Sequence, residues 1–182
     1  MPKRHTRHAI KHIPKLWLMS DERFGERLLP SIAALPRGSG IIFRHYSLDP
    51  PARRALFEQV RRVAVSKRHW LITAGDATIA RGLHIDGFHG RRRSKRFQTA
   101  PVHSVQEAVA AQRAGADLLF VSPIFATRSH AGARALGRVG FGLLTRGLKT
   151  PTIALGGMTK SRARSLKILG IYGWAAIDAL IA

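Results

Sequence analysis

Apolar residues fall along this chain in short unbroken runs, each closed by Gly, Pro or a polar cluster, with stretches between them in which apolar positions recur at helical spacing. Runs without alternation read as strands covered on both faces, as in a parallel sheet, and the intervening periodicity predicts the helices that cover them. The runs are Leu16 to Met19, Gly40 to Tyr46, Trp70 to Ala74, Gly87 to Gly90, Phe97 to Val102, Leu118 to Val121, Thr152 to Leu155 and Trp174 to Ile181.

The stretches between them carry helix signals. Asp21, with Glu22 in the first turn, caps a helix bearing Leu28, Leu29, Ile32, Ala33 and Leu35, which Pro36 and Gly38 stop. Asp49-Pro50-Pro51 opens the longest helix. Its expected buried stripe is Ala55, Leu56, Val60, Val63 and Ala64, with Arg53, Arg54, Arg61, Arg62 and Lys67 on a solvated face. Asp76 to Leu83 predicts a short helix, and Ser104 with Glu107 a capping box ahead of Ala108, Val109, Ala111 and Ala114. Another short helix is expected over Phe141 to Arg146, and the last from Thr159 to Leu169, ended by Gly170.

Eight such runs favour a closed (β/α)8 TIM barrel in the α/β class over a doubly wound sheet. The 182 residues are fewer than the roughly 200 to 250 usual for this architecture. The expectation is therefore a compact single domain over 16–182, with short loops and no eighth outer helix before Ala182. Residues 1–15 read as a basic flexible arm, with a turn of helix near Ala9 to His12. A barrel short of one helix would gain from a homo-oligomer that covers the exposed strands.

Polar chemistry collects where the runs stop. Leu118 to Val121 ends at Ser122-Pro123, ahead of Thr127, Arg128, Ser129, His130, Gly132 and Arg134. In parallel α/β folds the carboxyl ends of the strands carry the site. The run closing at Leu155 is followed by Gly156-Gly157 just before a helix start, an arrangement that suits a phosphate.

Charge sharpens this picture. Lys and Arg number 31 against 10 acids, for a net charge of +21. Such a field favours anionic partners: phosphorylated small molecules, nucleic acid or an anionic membrane surface. The chain has no Cys, which removes disulfide and thiolate chemistry and fits a cytoplasmic setting. No run is long enough to span a membrane. The opening segment lacks the apolar stretch of a signal peptide, although its basic, acid-free composition is also that of a transit peptide.

Four motifs in order, DGFHG (Asp86 to Gly90), VHSVQEA (Val102 to Ala108), AGADLLFVSPIFATRSH (Ala114 to His130) and ALGGM (Ala154 to Met158), resemble the thiamine phosphate synthase and thiazole tautomerase family. The resemblance covers most of the chain from Leu16 onward and implies the same barrel. It also implies thiamine biosynthesis. In that family the synthase joins hydroxymethylpyrimidine diphosphate to a thiazole phosphate: diphosphate departs, helped by magnesium and basic groups, and the thiazole nitrogen traps the pyrimidine cation. The chemistry requires that leaving-group charge be neutralised by metal, Lys, Arg or backbone donors.

Measured against that pattern, the chain keeps some groups and loses others. Of the Gln-x-Arg-x-Lys motif at the end of strand two only Arg44 remains, in Ile42-Phe43-Arg44-His45-Tyr46. The Asn-Asp pair after strand three is Ala74-Gly75, with Asp76 one place later, and the Gln-Glu-Asp group after strand four is Arg91-Arg92-Arg93. The Thr-x-Thr-Lys loop is softened to Thr127-Arg128-Ser129-His130, and the Ser expected near strand eight is replaced around Ala175-Ala176. Gly156-Gly157 is intact, and His103 matches an active-site His of the tautomerase branch.

The resemblance thus implies His103 as a proton-transfer residue. The candidate substrate ligands are Arg44, His89, Arg91, Arg92, Thr127, Arg128, Ser129, His130, Gly156 and Gly157. No metal ligand is assigned, because the carboxylates expected to hold Mg2+ are absent. Guanidinium geometry suits direct diphosphate binding in the metal's place. Alternative readings are a thiazole tautomerase, a noncatalytic binder of thiazole phosphate, and a basic nucleic-acid-binding protein. Against the last stands the lack of a recognition helix, a zinc pattern or an RNA-stacking motif.

Overall fold

The computed structural model describes residues 13–90, 95–128, 132 and 134–182. Eight strands, β1 (Leu16–Met19), β2 (Gly40–Phe43), β3 (Trp70–Ala74), β4 (Gly87–His89), β5 (Phe97–Val102), β6 (Leu118–Val121), β7 (Thr152–Ala154) and β8 (Gly173–Ala176), close into a barrel in sequence order. Every pairing is parallel, and β8 returns to β1 through Leu16↔Trp174 and Leu18↔Ala176. The barrel expected from the run count is thus the observed fold.

Among the described residues five α-helices line its outside: α1 (Leu28–Ala34), α2 (Pro50–Lys67), α3 (Val105–Arg113), α4 (Gly137–Thr145) and α5 (Lys160–Leu166). Helix α2 starts where Asp49 accepts a hydrogen bond from Ala52 N–H at 2.9 Å, and it ends at Arg68 in the left-handed conformation. At α3, Ser104 accepts from Glu107 N–H, while the Glu107 carboxylate takes the N–H of His103 at 2.7 Å, one residue earlier than in a simple capping box.

Aromatic contacts between strands that are not neighbours run through the barrel lumen. The Trp17 ring of β1 meets Phe120 of β6 edge to face at 5.5 Å, and Phe120 meets His89 of β4 at 5.3 Å. Gly40, opposite Trp17 in register, makes room for the indole: a Cβ there would lie 2.2 Å from the ring. Outside the lumen, Leu119, Val121, Ala154 and Ala176 share a second core with Ala108, Phe141, Leu144 and Leu166 of α3 to α5. The acids ahead of β4 and β6 tie neighbouring strands together, Asp86 accepting from Leu71 N–H at 2.7 Å and Asp117 from Gln98 N–H at 2.8 Å.

Several expected boundaries move. Strand two stops at Phe43, because Arg44 and His45 turn out of it and His45 adopts φ 41°. Asp76 to Leu83 is a 3₁₀ turn over Ala77–Ala80 capped by Asp76. Helix α4 begins at Gly137, earlier than Phe141. The last strand ends at Ala176, and a 3₁₀ turn over Asp178–Leu180 follows where strand was expected up to Ile181. The α2 stripe is also corrected: its buried residues are Arg53, Phe57, Val60 and Ala64, at successive helical intervals, whereas Ala55 is exposed. Arg53, expected in solvent, is only 5% exposed. The expected turn at Ala9 to His12 lies outside the described residues, as does most of the amino-terminal arm.

Candidate active site

The carboxyl ends of β2, β6, β7 and β8 surround a cleft lined by Arg44, Ser122, Thr127, Gly156, Gly157 and Asp178, among others. Its floor is made by two loops in close contact. Gly156 and Gly157 have φ of 88° and 60°; a Cβ on the first would come within 2.7 Å of Pro123 Cα, and one on the second within 2.5 Å of the Ala126 carbonyl oxygen. Only residues without a side chain let the turn after β7 lie against the loop after β6. Hydrogen bonds fasten the two, from Phe125 N–H to Gly156 O at 3.1 Å and from Ile124 N–H to Leu155 O at 2.9 Å. Arg162 adds a clamp: its guanidinium sits 4.7 Å from the centre of the Phe125 ring and donates to the Gly157 carbonyl.

Charges alternate around the mouth. Arg44 donates to the Asp21 carboxylate at 2.7 Å, and Arg23 donates to the other Asp21 oxygen at 2.7 Å. Arg23 also reaches Asp178 at 3.3 Å, and Arg128 approaches the second Asp178 oxygen at 3.4 Å. Arg44, Arg23 and Arg128 therefore alternate with Asp21 and Asp178 across the ends of β1, β2, β6 and β8. Burial alone would raise the Asp21 pKa, but the hydrogen bonds from Arg23 and the charges of Arg23 and Arg44 outweigh it and hold the carboxyl below its usual value.

The end of β2 is held from below. Ser20, fully buried, accepts the Arg44 N–H at 2.8 Å and lies 2.9 Å from His45 Nδ1, and Arg44 Nε donates to the Ser20 carbonyl at 2.7 Å. The Ser20 hydroxyl thus bridges the Arg44 main chain and the His45 ring. Burial in turn lowers the His45 pKa, and the cations Arg44 and Arg53 reinforce that against Glu22 and Asp21.

His89 sits deeper in the lumen, with Nδ1 2.8 Å from Thr99 Oγ1. Burial pushes its pKa down to about 4, and the Arg44 charge acts in the same direction, so it is neutral near pH 7. His103 stands exposed on the rim after β5, its Nδ1 2.7 Å from the Ser122 carbonyl. A carbonyl acceptor requires the proton on Nδ1. Among the residues expected from the sequence, Arg44, Thr127, Gly156 and Gly157 therefore share one cleft, Arg128 reaches it through Asp178, and His103 touches it through Ser122. Arg91, Arg92, Ser129 and His130 lie outside the described residues.

Sequence reasoning missed Asp21, Arg23, Ser122 and Asp178. Asp21 was legible only as a cap, which it also is, accepting from Arg23 N–H. Asp178 was hidden inside the expected eighth strand, although a single acid in an apolar run is itself a signal.

Among the described residues, the mouth's donor set does not fit a magnesium ion held by protein ligands alone. Its carboxylates are engaged by guanidinium groups or by caps, Asp76 accepting from Thr78 N–H at 2.9 Å and from Thr78 Oγ1 at 2.6 Å. Among the described residues no three His, Asp or Glu side chains converge.

The family model for thiamine monophosphate synthase matches residues 18–180. The chain belongs to that family. Thiamine-phosphate synthase of Pyrococcus furiosus is 35% identical over 82 residues, a match that covers 45% of this chain and 40% of that protein. A putative thiamine-phosphate synthase 2 of Aquifex aeolicus is 27% identical over 180 residues, covering 91% of this chain and 97% of the relative. In fold the chain is similar to a solved thiamine phosphate pyrophosphorylase from Pyrococcus furiosus, with TM-score 0.80 and 21% identity over 96% of this chain and 90% of that one. The motifs that carried the resemblance, DGFHG, VHSVQEA, VSPIFATRSH and ALGGM, all lie within the family match.

Proposed function

We propose that this chain is a thiamine phosphate synthase that seats a thiazole phosphate in the cleft of Gly156, Gly157, Ser122 and Thr127 and joins it to hydroxymethylpyrimidine diphosphate. The observation that supports this most is the cleft itself. Small residues bring main chain to its surface, hydroxyl groups line it, and Arg44 adds a fixed cation, at the carboxyl ends of barrel strands where such sites form. In the reaction the bond between the pyrimidine methylene carbon and the diphosphate oxygen breaks, the diphosphate keeping the electron pair. The thiazole nitrogen then forms the new bond to that carbon. Charge on the leaving diphosphate falls to guanidinium groups, Arg44 and Arg128 at the mouth and Arg91 and Arg92 of the run after β4. Arg binds phosphate oxygens bidentately without a metal bridge.

The test is a product assay with both substrates, in magnesium and in a chelator. Thiamine phosphate should form at comparable rates in the two, and replacing Arg91 and Arg92 with Ala should lower the rate in both. Activity that vanishes on chelation would contradict the guanidinium assignment. A second reading, a tautomerase or binder that takes thiazole phosphate alone, draws support from the engaged state of Asp21 and Asp178 and from His103 on the rim. Binding of the thiazole compound with no affinity for the diphosphate would select it.

A further inference from the structure

Arg53 is a buried cation that the proposed chemistry does not use. It stands in the first turns of α2, 5% exposed, its guanidinium 5.7 Å from the ring centres of both Phe43 and Tyr46. Its partners are main-chain carbonyls at the ends of two strands. Nε and Nη2 donate to Arg44 O at 3.0 and 2.7 Å, Nη2 also to Ala74 O at 2.7 Å, and Nη1 to Asp76 O at 3.3 Å. Among the described residues it forms no ion pair with a carboxylate, so desolvation of its charge is offset by carbonyl dipoles and ring faces. Gly75 completes the fit: at φ 73° it lies under Tyr46, and a Cβ there would come 2.9 Å from that ring.

A charge is held in a desolvated place only where several dipoles converge on it. Here the dipoles come from β2 and β3, which the guanidinium fork ties together just beyond their last paired residues, Phe43↔Thr73. The residue whose carbonyl receives two of the donated bonds is Arg44, whose own side chain lines the cleft.

We infer that Arg53 is a positioning residue: by holding the carbonyls of Arg44, Ala74 and Asp76 it fixes the β2 and β3 rim and aims Arg44 into the cleft. Lys cannot replace it, since one ammonium lacks the planar fork that spans three acceptors. This inference rests on the cleft reading for its ligand readout.

The experiment compares the full-length chain with Arg53→Lys and Arg53→Ala, titrating each with thiazole phosphate and following amide hydrogen exchange. Arg53→Lys should lose at least about tenfold in affinity, the scale of one charged hydrogen bond removed from a buried site. In Arg53→Ala, guanidinium chloride at a non-denaturing concentration should restore affinity, and ammonium chloride at equal ionic strength should not. Amides of Arg44 to Tyr46 and Gly75 to Thr78 should exchange faster in both variants. Wild-type affinity in Arg53→Lys, or recovery with ammonium chloride equal to that with guanidinium chloride, would overturn the inference. Should the wild-type chain bind no thiazole phosphate, the cleft reading fails by itself. Exchange at the rim then decides for Arg53: faster in Arg53→Lys supports it, unchanged overturns it.

Discussion

His89 shows how a single side chain couples the lumen to pH. An ordinary histidine titrates near 6.5, whereas burial brings this one to about 4 in the folded chain. Between these values the unfolded chain binds a proton that the folded chain does not, so stability falls as pH drops from about 6.5 to about 4 and levels off below. For this shift the loss reaches about 3 kcal/mol at the acid end. Denaturant unfolding at stepped pH, wild type against His89→Gln, checks it: the variant should lack this part of the acid slope, and equal slopes would refute the assignment. Residue identity could announce a histidine at a strand end, but not its depth, which depends on Phe120 arriving from a strand remote in sequence. Arg53 carries the opposite lesson. Its spacing of four, seven and eleven residues from Phe57, Val60 and Ala64 placed it on the buried face of α2, while its charge argued for solvent. Spacing was the better guide, because carbonyls from β2 and β3 supply what water would have.

At the level of elements, the strands were legible and the helices only partly so. A parallel strand covered on both faces is largely apolar, and that leaves a mark in sequence even where the strand is three residues long and one of them is polar, His89 in β4 and Thr152 in β7. The 3₁₀ turns over Ala77–Ala80 and Asp178–Leu180 stand where a longer helix or strand was expected. Both are too short for periodicity to register. The close contact of the β6 loop on the Gly156-Gly157 turn yields a prediction. Gly157→Ala places a side chain at φ 60° against the Ala126 carbonyl, a backbone cost of about 1 to 3 kcal/mol with the collision added. Thermal unfolding should show the loss, and the loop after β6 should be displaced enough to weaken ligand binding. A variant as stable as the wild type, with unchanged affinity, would mean that the two loops are not held together as described.

Across the whole molecule, a net charge of +21 surrounds a mouth that is itself rich in guanidinium groups. That field attracts any polyanion, so weak binding to nucleic acid that fades with salt is expected of such a surface and is no measure of function. What distinguishes a site from a field is saturation by one ligand at one place. The fold was legible at this scale from the count of apolar runs, and the cleft from the glycine pair. The engagement of Asp178 by Arg23 was not, because it joins residues from opposite ends of the chain that meet only once the barrel closes. The most direct measurement is a calorimetric titration of the pure protein with thiazole phosphate at physiological salt, with magnesium and with chelator. Saturable binding of one molecule per chain, the same in both conditions and lost when Gly157 is replaced by Asp, is the result expected; absence of binding, or binding unaffected by that substitution, would contradict the placement of a phosphate in this cleft.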